Sequence, residues 1–272
     1  MKEIEEIYKC QDRWNDEYGK LNMVAIHKNP AKYFVDPCKL SKQKLDMIEA
    51  MRSKEQKQIL ELGSGRGEFS VALAKMGGIV TGVDIGVDLV NLAKEVAVVN
   101  RVKCDFVVGS IIELPFQEGT FDYVVGNAIL HHLPRIGVLH SLKESYRVLK
   151  PGGIALFTEP IENSKVFDFI QNLIPLEKPG SPQYRPSILQ KTKWKLHLKA
   201  ADDRALSNAE LMDAKGDFKK VEFKYYGFII RLTRLYPNRT FQRMLESIDN
   251  ILTHRYSPVK KLSQSVLVTY KK

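Results

Sequence analysis

Apolar and polar positions change their spacing twice along this chain. Up to residue 55 the pattern is that of helices and connecting loops. A break stands at Val35-Asp36-Pro37-Cys38, and Ser41 to Met51 then sets Leu45, Ile48 and Met51 at helical spacing. From Gln58 short apolar runs alternate with amphipathic ones. Gln58–Leu62 is a predicted strand, followed by a helix with Phe69, Leu73 and Met76 on one side. Ile79–Val83 is a second strand ending at Asp84, and Asp88–Val99 a helix. Strands are predicted at Cys104–Gly109, Phe121–Val125 and Ile154–Thr158, with a helix over Leu139–Leu149 and a turn at Lys150-Pro151-Gly152-Gly153 before the last. Such alternation implies an α/β protein with a mostly parallel sheet covered by helices on both faces.

After Glu159-Pro160 the alternation fails. Lys165–Ile174 has helical spacing, and the stretch from Pro175 to Pro186 is proline-rich loop. Ser207–Lys215 and Phe241–Leu252 read as helices, Lys220–Phe228 and Gln264–Tyr270 as strands. The two late strands are expected to close the sheet in antiparallel fashion. The expected organisation is one structural domain in four parts: an N-terminal helical lid over 1–55, a core over 56–160, a cap inserted at 161–206, and completion of the sheet over 207–272.

Ligands of an open parallel sheet bind outside the carboxyl ends of its strands. Those ends carry Glu61-Leu62-Gly63, Asp84, Gly109-Ser110, Gly126-Asn127 and Glu159. In Gly63-Ser64-Gly65-Arg66-Gly67 the missing Cβ atoms allow a sharp turn and close approach to a ligand. The helix that follows aims its first N–H groups at an anionic group. Asp84, one strand on, can accept from both hydroxyls of a ribose. Together these features specify a nucleoside-containing ligand. The dinucleotide fingerprint G-x-G-x-x-G/A fails when counted from Gly63, because Glu68 takes its last position. Counted from Gly65 it meets Ser70, so on this loop alone a nicotinamide or flavin enzyme stays open. A Walker loop is excluded, since no Gly-Lys-Ser/Thr follows.

The motifs in order resemble the class I S-adenosylmethionine (SAM)-dependent methyltransferases. The run Glu61-Leu62-Gly63-Ser64-Gly65-Arg66-Gly67 resembles their first motif, and Val83-Asp84-Ile85 the acidic end of their second strand. Ile112–Phe116, Phe121–Val125 and Ala128–Leu133 are similar to their third and fourth strand region, and Glu144–Gly153 to the stretch before the fifth strand. The resemblance covers about residues 57–160 and is nearest to the small-molecule subgroup that includes ubiquinone/menaquinone and sterol methyltransferases. It implies a Rossmann-like, seven-stranded, mostly parallel sheet with SAM as cofactor. By position, Glu61, Gly63, Ser64, Gly65 and Gly67 would form the methionine loop and its support. Asp84 would take the ribose, Ile85, Ser110 and Ile111 the adenine, and Asn127 the sulfonium side. Tyr18, in the lid, would close over the cofactor, with Tyr8 and Trp14 as further aromatic residues there. Ser110 departs from the family, many of whose members have an acid at that position.

Chemistry on the acceptor side is less constrained. His131, His132 and Glu159 lie at or just after strand ends, where a base could take the proton of a hydroxyl acceptor. The net charge of +10 is uneven: residues 160–272 hold 21 Lys/Arg against 11 Asp/Glu, and residues 1–159 hold 21 of each. Lys191–Lys199, with Trp194, and the group Arg231, Arg234, Arg239 and Arg243 carry much of the excess. A basic field draws anionic partners: a phosphorylated small molecule, an acidic membrane surface or nucleic acid. O-methylation of an anionic or lipid-linked small molecule is the leading reading. A methyltransferase acting on RNA or protein and a non-catalytic SAM-binding protein are the alternatives. Gly126-Asn127-Ala128-Ile129 stands where amino-group methylases of bases and glutamine carry Asn/Asp-Pro-Pro-Tyr, which weighs against that branch. Cys10, Cys38 and Cys104 are too scattered for a disulfide framework or zinc cluster, so no metal is expected. The charged N-terminus is unlike a secretory signal, and no apolar run nears the roughly 18 residues of a membrane span. A cytoplasmic location is the expectation.

Overall fold

The computed structural model describes residues 25–51, 53, 55–162, 204–213, 215–229, 239–255, 257–260 and 262–272. Helix α1 (Lys42–Ala50) precedes strand β1 (Gln58–Leu62), α2 (Glu68–Lys75), β2 (Ile79–Asp84), α3 (Val87–Val99) and β3 (Cys104–Val108). Then come β4 (Phe121–Asn127), a 3-10 turn at Leu130–His132, α4 (Arg135–Val148) and β5 (Leu149–Pro160). The chain ends with α5 (Asn208–Asp213), β6 (Lys220–Tyr226), α6 (Arg239–Arg255), α7 (Ser257–Lys260) and β7 (Ser265–Lys271).

These strands form one seven-stranded sheet in the order β3-β2-β1-β4-β5-β7-β6. The pairs among β1 to β5 are parallel, and β7 runs antiparallel to both β5 and β6. The chain winds outward from β1 through β2 to β3, then returns to place β4 on the other side of β1. That reversal opens a crevice at the carboxyl ends of β1 and β4.

Side chains alternate across the sheet and build a core on each face. On one face Leu60, Leu62, Val124, Ala155 and Phe157 pack against Val138, Leu142 and Val148 of α4 and Leu211 of α5. On the other, Ile59, Val80, Val125 and Leu156 meet Met47 and Ile48 of α1, Phe69 and Leu73 of α2, and Val90 and Val96 of α3. Each such Val, Leu, Ile, Met or Phe side chain contributes roughly 1.5–3 kcal/mol by leaving water. Helix α1 is therefore part of the covered sheet and not of a lid. Its Asp46 is buried, accepts from the Tyr226 hydroxyl at 2.8 Å and pairs with Lys224 at 2.9 Å, which ties α1 to β6. Tyr8, Trp14 and Tyr18 lie outside the described residues.

Two predicted boundaries move. Strand β5 begins at Leu149, so Lys150–Gly153 belongs to it and is not a free turn. Its pairing with β4 shifts register between Phe121 and Tyr123, and that irregularity accommodates Pro151 and the left-handed Gly152. Helix α4 begins at Arg135, directly after Pro134, four residues before the expected start. The expected cap leaves and returns at one point. Ile161 bridges to Leu206, Leu206 N–H donates to the Pro160 carbonyl at 3.0 Å, and Glu162 N–H donates to the Leu206 carbonyl at 2.9 Å. Residues 163–203 between them, including Lys191–Lys199, lie outside the described residues, as do Arg231 and Arg234.

Candidate active site

The crevice is an open cavity of about 190 Å³. Its floor is the glycine loop at Gly63 and Gly65, with Asp84 beside it. Ile85, Leu89, Gly109 and Ile111 form one apolar wall; Ala128, Ile129, His132 and Leu133 form the other. The first wall comes from the ends of β2 and β3 and the first turn of α3, the second from the segment after β4.

The three loop glycines serve different ends. All have positive φ: +64° at Gly63, +50° at Gly65 and +75° at Gly67. A Cβ on Gly63 would stand 2.3 Å from Ile129 Cδ1, and one on Gly67 would stand 2.8 Å from Ala93 Cβ and Phe106 Cζ. These two permit packing of the protein against itself. A Cβ on Gly65 would meet nothing within 4 Å, although the residue lines the cavity. That room is left for something other than protein. Gly67 starts α2 with no side-chain cap, so the first N–H groups of the helix keep capacity for an anion.

Asp84 latches this loop to the next. Its Oδ2 accepts from Gly65 N–H at 2.8 Å and its Oδ1 from Gly86 N–H at 2.9 Å. Burial pushes its carboxyl above the usual range, and the N–H groups of Gly86, Gly65 and Ile85 oppose that rise. Each carboxylate oxygen retains a lone pair for a ligand hydroxyl. Glu61 sits behind the loop, buried, and accepts from the Ser70 hydroxyl of α2. Burial pushes its carboxyl up to about 7, against the opposing pull of Ser70 and Lys44. Ser64 is buried, and its N–H donates to the Val83 carbonyl at 3.0 Å.

The expected catalytic trio divides. Glu159 is 1% exposed and turned away from the cavity, toward the backbone of the 3-10 turn. Its Oε1 accepts from the N–H groups of Ile129 at 2.9 Å and Leu130 at 2.8 Å. Its Oε2 accepts from His131 N–H at 3.3 Å and lies 2.8 Å from His131 Nδ1. A carboxylate thus caps the start of a turn whose N–H groups would otherwise be orphaned. His131 is buried behind its neighbour, with the two imidazole centroids 3.9 Å apart. Of the three, His132 alone lines the cavity. Glu159 binds the turn and His131 packs against His132, and neither lines the cavity.

Two expected cofactor contacts also move. Ser110 is absent from the cavity wall; its Oγ accepts from Ile112 N–H at 3.5 Å, and Gly109 and Ile111 on either side line the cavity. Asn127 turns its Oδ1 to the Thr158 hydroxyl at 2.9 Å, leaving Ala128 and Ile129 on the wall. Ala128 holds φ +55°, a left-handed conformation uncommon for alanine, and its N–H donates to the Thr158 carbonyl at 2.8 Å. Leu89 was not singled out from sequence, and Ala128, Ile129 and Leu133 entered only within the Ala128–Leu133 motif, with no site role. Apolar character near a strand end or helix start, which core residues share, does not by itself mark a cavity wall. No helix among the described residues is long and apolar enough to cross a membrane.

Comparison with known proteins agrees with this geometry. Residues 60–157 match the model of the methyltransferase domain family. The chain is 30% identical over 193 residues to the ubiquinone biosynthesis O-methyltransferase of Coxiella burnetii, covering 68% of this chain and 75% of that one. It is 29% identical over 153 residues to the demethylmenaquinone methyltransferase of Listeria monocytogenes, covering 55% and 60%. Among solved structures, a SAM-dependent methyltransferase of Methanosarcina mazei superposes with a TM-score of 0.51 at 19% identity, over 83% of this chain and 96% of that one. A phosphoethanolamine N-methyltransferase of Haemonchus contortus does so with 0.57 at 13% identity, over 98% and 48%. At such identities the structural likeness concerns the fold.

The chain belongs to the class I SAM-dependent methyltransferases. It is an enzyme of the small-molecule kind, and its methyl donor is SAM. The cavity suits that cofactor. Vacant room at Gly65 and an uncapped helix start fit a carboxylate-bearing tail, Asp84 fits a diol, and apolar walls fit a flat base.

Proposed function

We propose that this enzyme O-methylates a small acceptor that is anionic or lipid-linked, with His132 as the group that meets the acceptor's proton. The observation that carries this reading is the placement of His132 on the cavity wall, backed by the Glu159–His131 pair. SAM supplies an electrophilic methyl group. The protein's part is to hold the acceptor oxygen in line with it, exclude water, and receive the proton. In this reading Gly63 and Gly65 hold the methionine part, Asp84 the ribose hydroxyls, and Ile85, Leu89 and Ile111 the adenine. Glu61, Ser64 and Gly67 support the loop from behind. Glu159 orients the turn, His131 packs against His132, and the His132 imidazole takes the hydroxyl proton as the oxygen attacks.

The uneven positive charge supports an anionic acceptor, and the quinone-pathway relatives support a lipid-linked one. A cytoplasmic site of action goes with this reading. The test is transfer of radiolabelled methyl from SAM to fractionated metabolite and lipid pools, using wild type and His132→Ala. Label in a phenolic or other hydroxyl-bearing molecule, reduced by about 10²-fold or more in His132→Ala, is the expected result. Label in RNA or protein, or an unchanged rate in His132→Ala, would overturn it.

A further inference from the structure

The turn that carries His132 is gripped at both ends by residues that flank the stretch 160–203. Glu159, just before that stretch, accepts from the N–H groups of Ile129, Leu130 and His131. Arg204, just after it, takes the other end: its Nε donates to the Leu133 carbonyl at 3.0 Å. The turn thus meets a carboxylate where its N–H groups begin and a guanidinium where its carbonyls end. Its internal bonds run from His132 N–H to the Ile129 carbonyl at 3.2 Å and from Leu133 N–H to the Leu130 carbonyl at 3.0 Å. Those bonds fix the shape of the turn. Its place relative to the sheet depends on bonds to groups outside it, and Arg204 supplies the one next to His132.

Arg204 is itself anchored. Its Nη1 donates to Glu210 Oε2 at 2.7 Å and its Nη2 to Glu210 Oε1 at 2.5 Å. Glu210, on α5, is 8% exposed, and its N–H donates to the Ser207 hydroxyl oxygen at 3.0 Å. Beside it Leu211 is buried in the core, and the Leu211 carbonyl accepts from the Tyr270 hydroxyl of β7 at 2.8 Å. Toward the other side Leu206 is buried, and its N–H donates to the Pro160 carbonyl at 3.0 Å. The guanidinium is planar and rigid, so a fork seated on Glu210 dictates where the Nε–H points. Arg204 does not line the cavity, and its charge is matched by Glu210. It is therefore built to hold the turn and not to bind the acceptor.

We propose that Arg204 is a positioning residue: through the Leu133 carbonyl it fixes where His132 stands on the cavity wall. Only the catalytic meaning of this placement rests on the role given to His132 above.

The experiment is hydrogen exchange of the full chain at the amides of residues 129–133, read together with the imidazole NMR signals of His132, which are those absent from His132→Ala. The double variant Arg204→Met/Glu210→Leu removes the bond to Leu133 and replaces the ion pair by apolar side chains, a change that folds commonly tolerate. Asp213→Asn is the control, since it weakens the exposed 2.7 Å pair of Arg135 and Asp213 between α4 and α5 and spares the bond to Leu133. Calorimetric binding of SAM shows that each protein is folded. In wild type all five amides are bonded, three to Glu159 and two within the turn. In the double variant they should exchange at least about tenfold faster relative to the amides of β4, and the His132 signals should move. Asp213→Asn should leave both as in wild type. A loss of stability spread over the fold would speed exchange in β4 equally and leave that ratio unchanged, which overturns the proposal. His132 signals that stay in place overturn it too, as do equal changes in Asp213→Asn, which would assign the effect to the docking of α5. Methyl transfer at the wild-type rate in His132→Ala would remove the proton-accepting role of His132, and the placement by Arg204 would still be decided by the exchange ratio.

Discussion

Alanine at position 65 should separate cofactor binding from stability. Gly65 has φ +50°, and an added Cβ meets nothing within 4 Å. The folded chain without SAM therefore bears only the left-handed backbone cost, about 1–2 kcal/mol, a fall in Tm of roughly 2–4 °C per kcal/mol. The amide that latches the loop to Asp84 is retained. The new methyl group, however, stands in the room left for the cofactor. Displacing one charge-assisted N–H contact to a carboxylate costs roughly 1.5–3 kcal/mol, or about 10- to 10²-fold in SAM affinity. Gly67→Ala is the control. Its Cβ would stand 2.8 Å from Ala93 Cβ and Phe106 Cζ at φ +75°. Overpacking and backbone strain together should cost ~3 kcal/mol or more. Urea unfolding without SAM and calorimetric titration with SAM read the two effects apart. The reasoning fails if Gly65→Ala binds SAM as wild type does, or if it loses as much stability as Gly67→Ala.

Other perturbations probe the rest of the site. Asp84→Asn puts an amide N–H₂ against the N–H of Gly65 or Gly86 and removes the charge offered to a diol. SAM affinity should drop at least about tenfold by calorimetry. Glu159→Gln leaves N–H groups of the 3-10 turn facing a donor; it should cost about 2–3 kcal/mol in urea unfolding and lower turnover through His132. Glu61 holds its proton to about 7 in the folded chain, against an ordinary value of 4.5. Between those values the folded state binds more protons than the unfolded one, so this group's contribution is present below about 4.5 and lost as pH rises through about 7, on the order of 3 kcal/mol in all. Glu61→Gln should remove that slope, seen by comparing the urea midpoints of variant and wild type at about pH 5 and about pH 8.

What was legible in the sequence was whatever repeats at the period of its element. Gln58–Leu62 and Ile79–Asp84 announce themselves as strands because burial on both sheet faces demands near-continuous apolar residues. The glycine loop and Asp84 were legible for a related reason. Positive φ and a ligand-facing carboxylate at a strand end restrict residue type locally, without reference to distant parts of the chain. Where the outcome depended on a distant partner, the local pattern misled. Lys150-Pro151-Gly152-Gly153 has turn composition, yet β4 draws its start into the sheet through Phe121 and Leu149. Ser41–Met51 has the amphipathic face of a lid or of a core helix alike, and the buried tie from Asp46 to Tyr226, 180 residues away, decides for the core.

The same reasoning explains why residues expected at the site fall on the cavity lining or one or two positions from it. At a strand end successive side chains point to opposite sides, so a shift of one residue exchanges a wall for a strut. Asn127 and Ser110 are polar and were expected on the wall, but each finds a partner within the protein: Thr158 on β5 for one, Ile112 N–H for the other. The positions left to face the cavity are Gly109, Ile111, Ala128 and Ile129, small or apolar residues that suit a flat base or a methyl-transfer space without competing for hydrogen bonds. His131 and His132 could not be told apart by type. Glu159 distinguishes them by binding the Nδ1 of the first, which leaves the second to face the cavity. The polar groups in and around this cavity are therefore mostly committed to the protein itself. Most of the excess positive charge lies instead in 161–206 and 227–264, two stretches that leave and rejoin the sheet at this same edge.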